Sequence, residues 1–141
     1  MSELSWRKVF CPVDFSEESR AALRVAVDLA RRFGAELTVF HAAAASSALQ
    51  ASAADPGILD DWKRQAERLG AAGVSSAVAS GEPADAIVQG AQAGGYDLVV
   101  MGTHGRTGRD HALIGSVAEN VVRRCRVPVL VVHADWPAAT R

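Results

Sequence analysis

Hydrophobic residues follow two patterns along the chain, short β-branched runs and longer stretches with helical spacing. The short runs predict five strands, because brief apolar segments bounded by turn residues are typical of strands buried in a parallel sheet. These strands are expected at 7–13, 36–42, 74–80, 97–101 and 127–132. Helices are expected between them, at 17–33, 58–71, 83–93 and 117–124. This alternation predicts βαβ units in an α/β fold, with a five-stranded parallel sheet covered by helices on both faces.

Local signals mark several helix ends and helix faces. Ser16 is expected to cap the first helix and Gly34 to end it, while Pro83 suits the first turn of the third helix. In the second helix the residues expected on one apolar side are Trp62, Gln65, Ala66 and Leu69. In the fourth they are Val117, Val121 and Val122. The alanine- and serine-rich stretch 43–57 is expected to be a loop, since it has no periodic apolar face, although its many alanines could also extend a helix.

Composition limits the classes of partner. A chain of 141 residues that is 49% hydrophobic suits one domain, 1–141, with a sizeable core. A net charge of -1, from 15 basic and 16 acidic residues, gives no overall attraction to nucleic acid or to an anionic membrane. The apolar runs are much shorter than a bilayer span, and the first residues lack the apolar core of a signal peptide. We therefore expect no nucleic-acid partner, no membrane partner and a cytoplasmic location.

Two cysteines, Cys11 and Cys125, lack the paired spacing of a metal site. We expect both to be buried free thiols, and the sequence predicts no metal site formed by protein side chains.

A glycine-rich stretch, GTHGRTGRDHALIGS at 102–116, separates the fourth strand from the fourth helix. Its glycines, at 102, 105, 108 and 115, permit positive φ and close approach to a ligand. Free N–H groups at the following helix start favour an anion, and Ser116 adds a hydroxyl. The stretch therefore predicts a phosphate cradle, although it matches neither G-x-G-x-x-G nor the P-loop and contains no lysine. Two plainer interpretations stay open: glycines that serve only the turn, and Ser116 as only an N-cap residue.

The spacing Gly102-x2-Gly105-x9-Gly115-Ser116 resembles the nucleotide-binding signature of the universal stress protein family. The resemblance extends to CPVDFS at 11–16, His41 after the second strand and VPVLVV at 127–132. It implies a doubly wound sheet of order 3-2-1-4-5, in which strands one and four are neighbours. In such a sheet the ligand lies beyond the carboxyl ends of the strands where the order reverses.

The resemblance also implies which residues bind adenine nucleotide. Asp14 would lie at the base and ribose end of an adenosine pocket, although it could instead only cap the first helix. The implied site residues are Pro12, Val13, Asp14 and Ala42 for adenosine, Gly102, Gly105, Gly115, Ser116 and Val117 for ribose and phosphates, and Arg106 at the loop rim. The implied ligand is ATP, with or without Mg²⁺, and ADP, AMP or cyclic AMP are alternatives.

The leading functional hypothesis is an ATP-binding stress-response regulatory protein that acts as a binding switch. The alternative is a slow ATP hydrolase or phosphotransferase. The nearby candidates for it are Asp110, His104, His111 and the two loop arginines, Arg106 and Arg109. Efficient phosphoryl transfer calls for metal ligands, a cation on the γ-phosphate and a group that positions water, so no catalytic residue is assigned. A receiver domain is excluded, because the first strand ends in a single acid, Asp14.

The last predicted strand suggests a homodimer. Residues 127–132 are apolar throughout and lie at a sheet edge in the inferred order, where unpaired backbone groups invite association. The family resemblance implies the same antiparallel pairing of two copies.

Overall fold

The computed structural model describes residues 5–43, 56–103 and 114–134. Each predicted strand and helix is present, with boundaries that differ by only a few residues. The elements are β1 Lys8–Pro12, α1 Glu17–Phe33, β2 Glu36–Ala43, α2 Pro56–Arg68, β3 Val74–Ser80, α3 Pro83–Ala93, β4 Leu98–Gly102, α4 Ser116–Arg124 and β5 Val129–Val132. Most of the predicted loop 43–57 lies outside the described residues.

The strands form one five-stranded sheet in the order β3-β2-β1-β4-β5. Every neighbouring pair is parallel, including β1 and β4, in which Val9 pairs with Leu98 and Phe10 with Val99. The predicted fold and strand order are therefore confirmed. The chain builds outward from β1 in both directions, so the connections that follow β1 and β4 diverge and leave a crevice between them.

Helices cover both faces of the sheet, as predicted. Successive strand residues point to opposite faces, so Val9 and Cys11 pack beneath α1 and α2, whereas Phe10 packs beneath α3 and α4. The first layer also contains Leu23, Leu37, Val39, Trp62 and Val100, and the second contains Phe40, Ile87, Val99, Met101 and Val121. Two apolar layers therefore hold the strand ends in fixed positions.

For two residues, the prediction that they lie on a buried apolar helix face is wrong. Leu69 is 43% exposed, because α2 ends at Arg68 and the chain turns away through Gly70, whose φ is 112°. Val122 is 46% exposed, because α4 turns Ala118 and Val121 towards the sheet instead. In α2 the buried residues are Leu59, Trp62 and Ala66.

Helix ends follow most of the predicted signals. Ser16 caps α1 by accepting a hydrogen bond from the Ser19 N–H at 3.2 Å, and Gly34 ends the helix with a left-handed φ of 65°. Because Ser16 is the cap, the interpretation of Asp14 as the N-cap is wrong. The N-cap of α4 is Gly115, so the same interpretation of Ser116 is also wrong.

Both cysteines are free, but only Cys11 is fully buried, and Cys125 is half-buried. Burial raises the pKa of the Cys11 thiol to about 12, because the thiolate would lose its hydration. Within the ranges that the structure describes, no helix has both the length and the apolar character needed to cross a bilayer.

Candidate functional site

A cavity of about 130 Å³ opens at the carboxyl ends of β1 and β4. The predicted site residues that line it are Pro12, Val13, Asp14, Ala42, Gly102 and Val117. Gly115 and Ser116 lie at the start of α4, directly before Val117. Gly105 and Arg106 lie outside the described residues, as do His104, Arg109, Asp110 and His111. The topology thus gathers residues from the first and last thirds of the chain around one crevice.

Several residues of the cavity wall were not predicted from the sequence. They are Ser19, Pro83, Ile87, Met101, Thr103 and Ala118. A signal was present for Pro83 and Ile87, because a helix that follows a parallel strand begins at the carboxyl edge of the sheet, beside the ligand crevice. Met101 could also have been predicted, because it is the last residue of the predicted strand 97–101.

Hydrogen bonds fix the Asp14 carboxylate in the turn between β1 and α1. Asp14 Oδ1 accepts from the Ser19 hydroxyl at 2.7 Å and from the Ser16 N–H at 3.1 Å. The Asp14 N–H donates in return to Ser19 Oγ at 2.8 Å. These bonds span Phe15, which has a positive φ of 68° that is uncommon for a residue with a bulky side chain. Hydrogen bonds therefore fix both the carboxylate and the backbone N–H of Asp14 in this turn.

His41 packs against the same turn. Its Nδ1 lies 2.8 Å from the Val13 carbonyl oxygen, which can only accept, so Nδ1 carries the proton. Its ring centroid is 4.6 Å from that of Phe15, which in turn contacts Trp62. His41 is therefore a packed residue that ties β2 to the end of β1.

Gly102 lies against the first turn of α1. It does not use the positive φ that glycine permits, because among the described glycines positive φ occurs at Gly34, Gly70, Gly81 and Gly95. A Cβ on Gly102 would lie 2.6 Å from Glu18 Cβ and 2.8 Å from the Glu18 carbonyl carbon. A side chain at residue 102 would therefore force the end of β4 or the first turn of α1 to shift.

Gly115 is hydrogen-bonded to Thr103, near the other end of the glycine-rich stretch in sequence. Its N–H donates to the Thr103 carbonyl at 2.6 Å, and the Thr103 N–H donates to the Val132 carbonyl at 3.1 Å. Its φ of -72° is ordinary extended backbone, so Gly115 does not use the positive φ that glycine permits either. Residues 103 and 115 thus lie side by side, and Thr103 lines the cavity.

The start of α4 presents N–H groups beside the cavity. The first intrahelical bond joins the Glu119 N–H to the Gly115 carbonyl at 2.9 Å. The N–H groups of Ser116, Val117 and Ala118 precede it, and Gly115 has no side chain with which to cap them. Three such groups at the positive end of the helix dipole suit an anionic ligand.

Comparison with known proteins supplies the family. The family model described as "Universal stress protein family" matches residues 5–133. The chain belongs to the universal stress protein family. The match includes each element that contributes to the cavity, from β1 to β5, so the resemblance found in the motifs is confirmed over nearly the whole chain.

Relatives within the universal stress protein family share both sequence and fold. Universal stress protein MJ0531 of Methanocaldococcus jannaschii is 33% identical, over 90% of this chain and 82% of that protein. The structure of hypothetical protein MJ0577 superposes with a TM-score of 0.83 at 27% identity, covering 92% of this chain and 96% of that one. A universal stress protein in complex with cAMP superposes with a TM-score of 0.75 at 30% identity, covering 92% and 98%.

Proposed function

We propose that this protein binds ATP in the cavity between β1 and β4 and acts as a nucleotide-dependent regulatory protein of the stress response. The observation that carries the proposal is the meeting of Asp14, Ala42 and the start of α4 around one cavity at the reversal of strand order. The cAMP complex of a family member at 30% identity supports an adenine nucleotide as the ligand class.

The cavity suits the adenosine end of a nucleotide, and the start of α4 beside it suits the phosphates. Ala42 leaves room for a flat base, with Ile87 and Met101 as apolar walls, and Asp14 can accept hydrogen bonds from amine or hydroxyl groups. The cavity is smaller than the roughly 300–1,000 Å³ usual for ligand pockets, so we propose that the phosphates project beyond it. They would lie over the N–H groups that begin with Ser116, with Gly105 and Arg106 of the glycine-rich stretch completing the cradle.

A binding switch is favoured over an efficient catalyst. Backbone N–H groups that cradle the phosphates stabilise them in the ground state as well as in the transition state, and uniform binding of that kind does not raise the chemical rate. In the described part of the chain, no group of three or more His, Cys, Asp and Glu side chains is placed to hold a metal ion. Mg²⁺ would instead bind through phosphate oxygens and water. Slow hydrolysis that involves Asp110 is the alternative function.

One experiment tests both the ligand and its fate. We expect purified protein incubated with Mg²⁺ and ATP to retain one nucleotide per chain, recovered mainly as ATP by mass spectrometry after desalting. The reason is that the cradle stabilises bound phosphates without accelerating transfer. Recovery of ADP, with turnover above about 1 per second, would promote the enzyme interpretation. A failure to retain ATP, ADP, AMP or cAMP would refute the proposed function.

We further expect a homodimer formed through β5. This edge strand is apolar throughout, Leu130 on it is 39% exposed, and a groove of about 510 Å³ runs between it and Val25 and Leu29 of α1. Leu130→Asp should give a monomer in light scattering at micromolar concentration, because a charge would be buried at the strand pair.

The other sheet edge supplies the control for the dimer. Val78 on β3 is 62% exposed, but it lies on a strand that also carries Ser75 and Ser76. Val78→Asp should therefore leave the dimer intact. A wild-type monomer, or dissociation caused only by Val78→Asp, would refute pairing through β5.

A further inference from the structure

The Ser19 hydroxyl forms hydrogen bonds with both the side chain and the backbone of Asp14. Ser19 lies in the first turn of α1, where it is 5% exposed and forms part of the cavity wall. Its Oγ donates to Asp14 Oδ1 at 2.7 Å and accepts from the Asp14 N–H at 2.8 Å. A hydroxyl has one proton to donate, so this donation leaves none for a bound ligand. Ser19 therefore acts on a ligand through Asp14.

We propose that Ser19 is the positioning residue of the nucleotide site: its hydroxyl holds the Asp14 carboxylate in the orientation that receives the adenosine end. This inference rests on the proposed function. The terminal torsion of an aspartate is otherwise broad, so an unheld carboxylate samples many orientations. With Ser19 and the Ser16 N–H both on Oδ1, that freedom is lost on folding, and binding does not have to remove it.

Ser16 provides a matched comparison in the same turn. Its hydroxyl accepts from the Ser19 N–H and caps α1, whereas its backbone N–H donates to Asp14. Ser16→Ala therefore weakens the helix start but keeps both described donors to Asp14 Oδ1. Ser19→Ala removes one of those donors and keeps the cap. The two variants separate the stability of α1 from the orientation of the carboxylate.

Calorimetry with ATP and with inorganic tripolyphosphate tests the inference. Ser19→Ala should weaken ATP binding about tenfold, the scale of one hydrogen bond to a charged group, while Ser16→Ala should bind ATP as the wild type does. Tripolyphosphate should bind alike to all three proteins, since it has no adenosine to contact Asp14. If Ser19→Ala does not fold, Ser19→Cys replaces it, because the thiol is a weaker donor of similar size.

A double substitution shows whether the effect passes through Asp14. In an Asp14→Ala background, Ser19→Ala should cause no further loss of ATP affinity. Equal losses for Ser16→Ala and Ser19→Ala, or a full tenfold loss without the Asp14 carboxylate, would overturn the positioning role. If the wild type binds ATP and Ser19→Ala binds it with the same affinity, this inference alone is refuted. A wild-type protein that binds no adenine nucleotide refutes the proposed function and this inference together.

Discussion

Gly102→Ala should lower the free energy of unfolding by about 2–3 kcal/mol, a large part of the roughly 5–15 kcal/mol that stabilises an ordinary domain. The added Cβ would lie 2.6 Å from Glu18 Cβ and 2.8 Å from the Glu18 carbonyl carbon. One of these neighbours is backbone in the first turn of α1, so a side-chain rotation cannot relieve the clash. Either α1 or the end of β4 must move, and both are packed in the core. Chemical denaturation followed by circular dichroism measures the loss.

Gly57→Ala is the matched control for this prediction. Gly57 lies inside α2, its φ is not in the left-handed region, and a Cβ there would meet nothing within 4 Å. The same chemical change should therefore stabilise the protein by about 0.5–1 kcal/mol, through the lower conformational entropy of the unfolded chain. Equal stability of the Gly102→Ala variant and the wild type would show that α1 and β4 do not need this close approach.

The reason why residue 102 is a glycine could not be predicted from the sequence. Its place in a family signature suggests contact with a ligand or a positive φ, both of which are local properties of a loop. The contact that actually excludes a side chain comes from Glu18, which is far away in sequence. No pattern around residue 102 identifies that neighbour, because it depends on how α1 crosses the end of β4. Gly102 still lines the cavity, but its lack of a side chain is explained by packing.

The parallel sheet could be predicted from the sequence pattern, whereas the strand order was implied by the resemblance to the universal stress protein family. β-branched runs separated by helices predict a parallel sheet, and the ligand crevice then follows from topology, which places Asp14 and Val117 together. Side chains that complete a wall from within a helix were harder to find. Ser19 looks like an ordinary polar residue in a first helical turn, and only its two bonds to Asp14 distinguish it.

Helix faces were predicted less well near helix ends. The spacing that places Leu69 and Val122 on apolar stripes is correct for an unbroken helix. Leu69 lies beyond the end of α2, and the short α4 contacts the sheet through Ala118 and Val121. Where a helix ends and how it is rotated depend on its partners in the fold, so periodicity alone does not decide exposure at these positions.

Gly115→Val should reduce ATP affinity at least about 100-fold and leave the fold intact, a loss of about 2.7 kcal/mol of binding free energy. Gly115 is the N-cap of α4, and its φ of -72° and ψ of 164° are extended values that valine adopts readily. The side chain of an N-cap residue lies over the N–H groups of the first turn. Two methyl groups would thus cover the donors that we propose for the phosphates, and they offer no acceptor in exchange.

Adenosine distinguishes this blockade from a general loss of structure. It lacks phosphates, so its affinity should be nearly the same for Gly115→Val and the wild type, while calorimetry shows the loss for ATP. The Gly115 N–H bond to Thr103 and the Glu119 N–H bond to the Gly115 carbonyl both involve backbone atoms that valine retains. A melting temperature only a few degrees below that of the wild type is therefore expected, because valine is a poorer N-cap residue than glycine. Unchanged ATP affinity in this variant would show that the phosphates do not lie at the start of α4.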